Sequence, residues 1–314
     1  MNVPTRLAGF AAVLGLAFGG AALAGATFDP PSKASGARLG HDPMATMGQS
    51  GHSAPVAHGA VGATSGMSGM DGAEASGLAV SSGGLTLEAT RTYFTAGRPA
   101  KLQFRITDAR GRALRNEFQV ESARRLHFIV VRRDTTIYQH LHPTEAKDGT
   151  WSVALTLPQA GVYRAYADFQ IAGQKHVLAT DLFVPGAFVP NALPAPSDTG
   201  QARLDETRQL SGERVSLQAP GLKAGVETLL TFTVNRGGRP VSDLQPYLGA
   251  KGHLVALREG DLAYLHVHPD PGQVAANAIQ FRSSFPTAGT YRLFLQFQRD
   301  AKVRTVVYTL EVPR

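Results

Sequence analysis

Short runs in which apolar and polar residues alternate fill residues 85–185 and resume near Arg214 until the end of the chain. A period of two residues is that of a half-buried β-strand, and no segment has the 3.6-residue period of an amphipathic helix. In the first region the alternation predicts seven strands, over residues 85–90, 100–107, 126–132, 137–142, 150–157, 162–170 and 176–184. Seven short strands in a region of this length are typical of a β-sandwich.

The two β regions are repeats of each other, since residues 158–164 (PQAGVYR) match residues 286–292 (PTAGTYR). In immunoglobulin-like domains a tyrosine at the start of the sixth strand bonds back to the backbone, and Tyr163 and Tyr291 occupy that position. We therefore predict an all-β chain with two tandem immunoglobulin-like β-sandwich domains. Trp151, the only tryptophan, is expected in the core of the first domain.

The segment before the first domain divides into two parts. Residues 1–26 place one charge, Arg6, before an apolar run that ends near Ala24, which is the pattern of a signal peptide. A run of nearly 20 residues also fits an uncleaved membrane anchor, so both interpretations stay open. Residues 27–84 are rich in Gly, Ala, Ser, Met and His without periodicity, and they predict a disordered linker.

A Pro-rich stretch over residues 186–212 predicts a semi-rigid linker between the domains. The predicted β-sandwich domains therefore span residues 85–185 and 213–314. With either interpretation of residues 1–26, these domains are expected outside the cytoplasm, secreted or anchored by residues 7–26.

Composition excludes several classes of function. The net charge is +7, but the basic residues are scattered, so nucleic acid is not an expected partner. The chain has no Cys, which excludes disulfides and thiolate metal sites. No G-x-S-x-G, phosphate-loop or H-E-x-x-H motif is present, so we do not expect an enzyme, and a metalloenzyme is the third hypothesis.

Each repeat carries a histidine followed 13 residues later by the sequence His-x-His-Pro, with a tyrosine two residues before that pair. These residues are His127, Tyr138, His140 and His142 in the first repeat and His253, Tyr264, His266 and His268 in the second. Over the 17 aligned positions that begin at the first histidine, six are identical, and three of these are the histidines. Their retention between otherwise divergent repeats indicates a shared role.

Strand geometry brings each histidine trio together. Alternate residues of a strand share a face, and a hairpin turn centred on residues 134–135 sets His127 opposite His142. The same register, centred on residues 260–261, sets His253 opposite His268. Three neutral imidazoles suit Cu(II) or Zn(II), so we predict one metal site in each domain, for copper or alternatively zinc. The two tyrosines would be accessory ligands, neighbours of the ligands or packing residues, and a purely structural hairpin is the simpler alternative.

A second group of metal-binding residue types lies in the linker. Apart from Met1, all the methionines lie there, among histidines. The members are His41, Met44, Met47, His52, His58, Met67 and Met70. Thioether ligands select Cu(I), so we treat residues 41–70, hereafter the Met/His arm, as accessory metal ligands. Compositional drift in a disordered tract is the alternative explanation.

The Pro-x-Ala-Gly-x-Tyr-Arg segment, the His-rich hairpin and the Met/His arm resemble those of bacterial secreted metal-handling proteins with YtkA-like or CopC-like domains. The resemblance implies copper buffering, delivery or resistance, with the metal ion and a membrane metal transporter as candidate partners. CopC-like carriers also use an N-terminal histidine, which this chain lacks, so their ligand set does not carry over. The alternative is a metal-free adhesion or scaffold module of the cell envelope, and the oligomeric state is left open.

Overall fold

The structure is a computed structural model that describes residues 76–193, 203–210, 212–265, 267–270, 272 and 274–314, with the backbone alone for residues 203–209 and 268. The predicted signal or anchor lies outside these residues. The described residues form strands and turns, and no helix among them is long and apolar enough to cross a membrane. Both β regions fall within one compact unit of the chain, residues 65–314.

Two antiparallel sheets make up the first sandwich. Its strands are β1 (Ser81–Ser82), β2 (Leu85–Ala89), β3 (Pro99–Thr107), β4 (Phe118–Gln119), β5 (Leu126–Arg132), β6 (Tyr138–Leu141), β7 (Thr144–Glu145), β8 (Trp151–Thr156), β9 (Gly161–Ile171) and β10 (Gln174–Val184). One sheet has the order β1-β2-β3-β8-β7, and the other has the order β10-β9-β5-β6 with β4 paired to β9.

The second sandwich repeats this arrangement. Its strands are β11 (Arg203–Leu210), β12 (Glu213–Pro220), β13 (Glu227–Arg236), β14 (Arg239–Pro240), β15 (Gly252–Arg258), β16 (Tyr264–Leu265), β17 (His268–Pro269), β18 (Ala278–Ser284), β19 (Gly289–Arg299) and β20 (Lys302–Val312). One sheet has the order β11-β12-β13-β18-β17 with β14 on β13, and the other has the order β16-β15-β19-β20.

All seven predicted strands of the first region are present as β2, β3, β5, β6, β8, β9 and β10, within two residues at each end. The structure corrects two predicted linkers. Strand β11 lies within the supposed interdomain linker, because residues 203–210 pair along their full length with β12. Ser81 and Ser82, assigned to the disordered linker, pair with β2.

Immunoglobulin-like sandwiches are the fold of both domains, and each contains the predicted tyrosine corner. The Tyr163 hydroxyl donates to the Gln159 carbonyl at 2.8 Å, and the Tyr291 hydroxyl donates to the Thr287 carbonyl at 2.9 Å. Trp151 is 2% exposed in the first core, as predicted. The sequence pattern and the structure therefore agree on the architecture of each domain.

A third apolar layer joins the two sandwiches. Its buried members are Ile129, Val131, Tyr166, Ala179, Val255, Leu257, Leu262, Tyr264 and Phe294. They lie on the outer faces of the sheets β10-β9-β5-β6 and β16-β15-β19-β20, because neighbouring residues such as Phe128 and Ala256 belong to the inner cores. In β5 every residue is buried, so this strand has an apolar neighbour on both faces.

The residues just before β1 lie between the two sandwiches. The Tyr264 amide donates to the Ser76 carbonyl at 2.8 Å, and the Ser76 hydroxyl donates to the Tyr264 carbonyl at 2.8 Å. Gly77 has a φ of +68°, and a Cβ there would lie 2.7 Å from a Tyr166 ring carbon. Glycine is therefore required where the chain passes this close to both domains.

Candidate metal centre

The first hairpin has the register that the sequence predicts, and the second has it only as far as Leu265. In the first, Phe128 pairs with Leu141 and Val131 with Tyr138. In the second, Ala256 pairs with Leu265 and Leu257 with Tyr264. Each hairpin closes through a four-residue turn, where the Arg132 amide donates to Ile137 and the Arg258 amide donates to Ala263. The aspartates at these turns bind the neighbouring arginines, as in the ion pair between Arg132 and Asp134 at 2.6 Å.

The histidines lie on the faces of the hairpins that point toward the other sandwich. His127 shares its face of β5 with Ile129 and Val131, and His253 shares its face of β15 with Val255 and Leu257, since alternate residues point the same way. These four apolar residues belong to the layer between the domains. The histidine positions therefore extend that layer at the open end of each hairpin.

Among the described side chains, four imidazoles gather there, three from the first sandwich and one from the second, and we call them the histidine cluster (His127, His140, His142 and His253). The His127 and His140 ring nitrogens Nδ1 and Nε2 are 2.9 Å apart. The His142 ring centroid is 4.8 Å from that of His140 and 5.3 Å from that of His127. One ring nitrogen from each of His127, His140 and His253 lies within 4.8 Å of the others, which is a spacing that can hold a metal ion.

His253 enters the cluster from the second sandwich. Its ring centroid is 4.5 Å from that of His140 and 5.3 Å from that of His127, with which it stacks at 20°. The sequence predicts His253 in a separate site of its own domain. The difference arises because the outer faces of the two sheets pack on each other, which the spacing within one repeat does not encode.

Two hydrogen bonds from outside the cluster hold its rings. The His127 Nε2 donates to the Glu121 backbone carbonyl at 3.1 Å. The His140 Nδ1 contacts the Gln296 side-chain oxygen at 2.7 Å. Gln296 lies directly opposite His253 on the neighbouring strand β19, so the second sandwich also orients a histidine of the first.

Burial favours the neutral form of His127, His140 and His142. Burial lowers the pKa of His127, which is 5% exposed. Burial, together with the neighbouring His253 and His127, holds the pKa of His140 well below its usual value. Burial also lowers the pKa of His142 to about 4, and no described residue offers its buried Nε2 atom a hydrogen bond. Neutral imidazole is the form that binds a metal ion.

A carboxylate lies beside the cluster. Asp168, on β9, is paired directly with His127 on β5 and is 4% exposed. The Tyr264 hydroxyl from the second sandwich donates to Asp168 Oδ2 at 2.9 Å. A cavity of about 30 Å³, which is room for roughly one water molecule or ion, is bordered by His127, Asp168, His253 and Tyr264.

The two predicted accessory tyrosines lie next to the cluster and have different partners. Tyr138 stacks on Phe294 with 4.2 Å between ring centroids, and its buried hydroxyl has no hydrogen-bond partner in the described part of the chain. Tyr264 binds Asp168. Burial raises the pKa of both phenols well above the usual value, with Asp168 as a further cause at Tyr264, so both keep their protons at neutral pH.

Several predicted ligands cannot be placed. His266, the side chain of His268 and the whole Met/His arm lie outside the described residues. The predicted pairing of His253 with His268 is wrong. The backbone of His268 pairs with Arg282 of β18, because the chain passes from one sheet to the other after β16.

Sequence reasoning missed Asp168 and Gln296. They are aligned with each other in the two repeats, and because their side chains differ no shared chemistry is expected at that position. The available signal was the run HFIVVR at residues 127–132, which is apolar at neighbouring as well as alternate positions. Such a run indicates a strand buried on both faces, and hence a partner for the outer face.

Comparison with known proteins gives a family and a fold. The model of a family described as "Domain of unknown function (DUF8832)" matches residues 79–186 and again residues 208–314. No curated protein matches the chain. Likeness to solved structures lies between 12% and 15% identity among the three chains given below and shows the fold alone.

Three of these structures are bacterial surface proteins. FdeC, an Escherichia coli adhesin, is 14% identical with a TM-score of 0.23, and the match covers 75% of this chain and 66% of FdeC. Invasin, a bacterial integrin-binding protein, is 15% identical with a TM-score of 0.22, covering 72% of this chain and 39% of invasin. The Yersinia pseudotuberculosis adhesin InvE is 12% identical with a TM-score of 0.21, covering 73% and 59%. The chain thus spans less than two thirds of the length of each of these three proteins.

Proposed function

The chain belongs to the DUF8832 family, which is described as of unknown function, with one copy of the domain in each sandwich. From the histidine cluster we propose that the protein is an extracytoplasmic metal-binding protein. The expected ion is copper, with zinc as the alternative, and the expected role is buffering or delivery to a membrane metal transporter. The resemblance to YtkA-like and CopC-like proteins remains part of this proposal.

One observation carries the proposal. Three imidazoles of the first sandwich converge in a partly buried place where His127 Nδ1 and His140 Nε2 are 2.9 Å apart. Nitrogens bound at about 2.0–2.1 Å to the same ion lie roughly 3 Å apart, so this pair already has the separation that a shared ion requires. His142 adds a buried Nε2 atom that has no hydrogen-bond partner among the described residues. Buried polar atoms normally have partners, and a bound cation would supply one.

The Met/His arm comes shortly before Ser76 in the sequence, and this supports a role in delivering copper to the histidine cluster. Ser76 is fixed to Tyr264 by two backbone-directed hydrogen bonds. Tyr264 in turn contacts Asp168 beside the cluster. Met70 precedes Ser76 by six residues, and six residues span at most about 20 Å. This closeness along the chain is the basis on which we propose that the arm hands copper to the histidine cluster.

Copper titration of the full chain tests the proposal. We expect the unsubstituted protein to bind Cu(II) and its melting temperature to rise, because a ligand that binds the native state stabilises it. A triple variant, His127→Ala, His140→Ala and His142→Ala, should bind about one ion fewer. The comparison is repeated in a chain with His41, His52 and His58 changed to Ala, which separates copper bound by the arm. Unchanged stoichiometry in the triple variant, or no uptake by the unsubstituted chain, would contradict the proposal.

An adhesion or scaffold module is the second candidate. It predicts exposed aromatic side chains, and Tyr93 is 67% exposed and stacks on Phe183 with 5.3 Å between centroids. The three similar structures described above bear the names of adhesins and an invasin, which is closer to this candidate than to a metal carrier, although that likeness shows the fold alone. Binding of the chain to a surface partner that is lost in Tyr93→Ser, together with no metal uptake, would make this candidate the better one.

A further inference from the structure

We infer that the metal site is shared by the two sandwiches, with ligands from His127 and His140 of the first and His253 of the second, and with Gln296 holding His140 in the form that binds metal. This inference rests on the proposed function and replaces one site per domain with a site at the domain boundary. An ion bound there would join the two sandwiches, so metal binding and the packing of the domains would stabilise each other.

The hydrogen bond to the Glu121 carbonyl identifies Nδ1 as the ligand atom of His127. A backbone carbonyl can only accept, so the bond to Glu121 requires the proton of His127 to be on Nε2. In a neutral imidazole the other nitrogen then carries a lone pair. His127 Nδ1 therefore presents this lone pair to His140.

The ligand atom of His140 is identified in the same way, by its hydrogen bond to Gln296 of the second sandwich. Gln296 donates through Nε2 to the Thr305 hydroxyl at 3.2 Å, which leaves its oxygen toward His140 Nδ1. That oxygen accepts, so the proton of His140 is on Nδ1 and its Nε2 carries a lone pair. Two lone pairs then face each other across 2.9 Å, an arrangement that a cation between them relieves.

Gln296 thus decides between two states of the cluster. With its oxygen toward His140, both facing nitrogens are open to an ion. With the amide turned over, His140 Nδ1 would accept from Gln296, and His140 Nε2 would donate to His127 Nδ1, so the histidines would satisfy each other. Hydrogen bonds of this kind to the outer nitrogen of a ligand commonly change metal affinity by 10–100-fold.

His253 brings the third nitrogen from the second sandwich. Its ring lies against both His140 and His127, with centroids 4.5 Å and 5.3 Å away. Asp168 stands on the other side of His127 and is buried, so a negative charge accompanies the cation in a place of low dielectric constant. Both sandwiches therefore supply parts of the same site.

The test is Cu(II) and Zn(II) affinity of the full chain, with electron paramagnetic resonance of the Cu(II) form to count coordinated nitrogens. The variants are His140→Ala, His253→Ala, Gln296→Ala and Gln296→Glu. His176→Ala is the matched control, since His176 stacks on Phe169 and lies outside the cluster. Circular dichroism and a melt of each metal-free variant establish that it is folded, and His253→Gln serves if His253→Ala is not.

We expect His253→Ala to weaken Cu(II) binding by more than Gln296→Ala does, and to remove one nitrogen coupling. Gln296→Ala should weaken binding about 10–100-fold with the nitrogen count unchanged. Gln296→Glu, whose carboxylate can only accept at neutral pH, should bind at least as tightly as the unsubstituted chain.

Two failures are distinguishable. If His140→Ala abolishes binding while His253→Ala and Gln296→Ala match His176→Ala, the site belongs to the first sandwich alone and the inference is wrong, although the proposed function stands. If the unsubstituted chain binds neither ion, the proposed function is wrong and the shared site with it.

Discussion

The two hairpins share the same strand register over their paired residues, but they have different polar neighbours. Each sends a tyrosine across the boundary onto an aromatic ring of the other sandwich: Tyr138 stacks on Phe294, and Tyr264 lies 5.3 Å from Tyr166. The Tyr264 hydroxyl donates to Asp168, whereas the Tyr138 hydroxyl has no hydrogen-bond partner within the described ranges. The repeats therefore kept the apolar layer and the register and diverged in the charge beside the histidines.

This difference separates what holds the sandwiches together from what determines their chemistry. The apolar layer is nearly symmetric, because corresponding residues of both repeats contribute to it. The polar residues on β9 and β19 are not, since an acid in the first sandwich corresponds to an amide in the second. Substitutions in the layer should consequently affect stability, and substitutions at the polar residues should affect binding.

The largest expected effect is on the layer. Phe294→Ala removes a ring that is 1% exposed and stacked on Tyr138, which should lower the free energy of unfolding by about 3–5 kcal/mol. Urea unfolding measures it, and loss of the layer should also split the transition in two as each sandwich unfolds separately. Val303→Ala, at a side chain that is 47% exposed, is the control and should change little. A loss below about 1 kcal/mol would show that the layer does not stabilise the pair.

A smaller effect is expected at Asp168, the polar residue by which the first sandwich differs from the second. Asp168→Asn removes the negative charge beside His127 and keeps an oxygen for the Tyr264 hydroxyl. If the histidine cluster binds Cu(II), its affinity should fall about 10-fold. Isothermal titration measures it, with Asp148→Asn as the control, because Asp148 makes an exposed ion pair with Arg105 in the same sandwich and the net charge changes equally. Equal affinities in the two variants would remove Asp168 from the site.

The smallest expected effect on stability is at the tyrosine corners, which both repeats share. Tyr163→Phe and Tyr291→Phe each remove the corner hydrogen bond to a carbonyl and a second bond of the same hydroxyl, with the Gln159 amide in one corner and the Thr287 hydroxyl in the other. Each should lower the free energy of unfolding by about 1 kcal/mol. The two losses should agree, because the bonds are 2.8 Å and 2.9 Å long and end on corresponding carbonyls. Thermal melts of both variants measure them. A large difference would mean that the corners, like the polar residues, have diverged.

Features set by short-range sequence were predictable. Alternation fixed the seven strands, and turn position fixed the register that aligns Phe128 with Leu141. The tyrosine corner follows from one residue in a recognisable segment. These depend on neighbours along the chain or on one adjacent strand, so a single repeat contains the information.

Features set by the packing of one sandwich on the other were not predictable in the same way. The approach of His253 to His140 and the bond from His140 to Gln296 join residues of different repeats. Alignment of the repeats pairs residues as equivalents, such as His127 with His253, and does not indicate which residues of different repeats are neighbours. Strand β11 was missed for another reason, because the prolines before residue 197 were taken to mark the whole stretch as a linker.

The pairing of Ser76 with Tyr264 has a consequence for the order in which the molecule is built. The two residues are 188 positions apart, so at synthesis rates of about 5–20 residues per second Ser76 exists for roughly 10–40 s before its partner does. The first sandwich has all its own strands well before then. Closing the segment at Ser76 against β16 must wait for the second sandwich, so the attachment point of the Met/His arm takes its place only when both domains are complete.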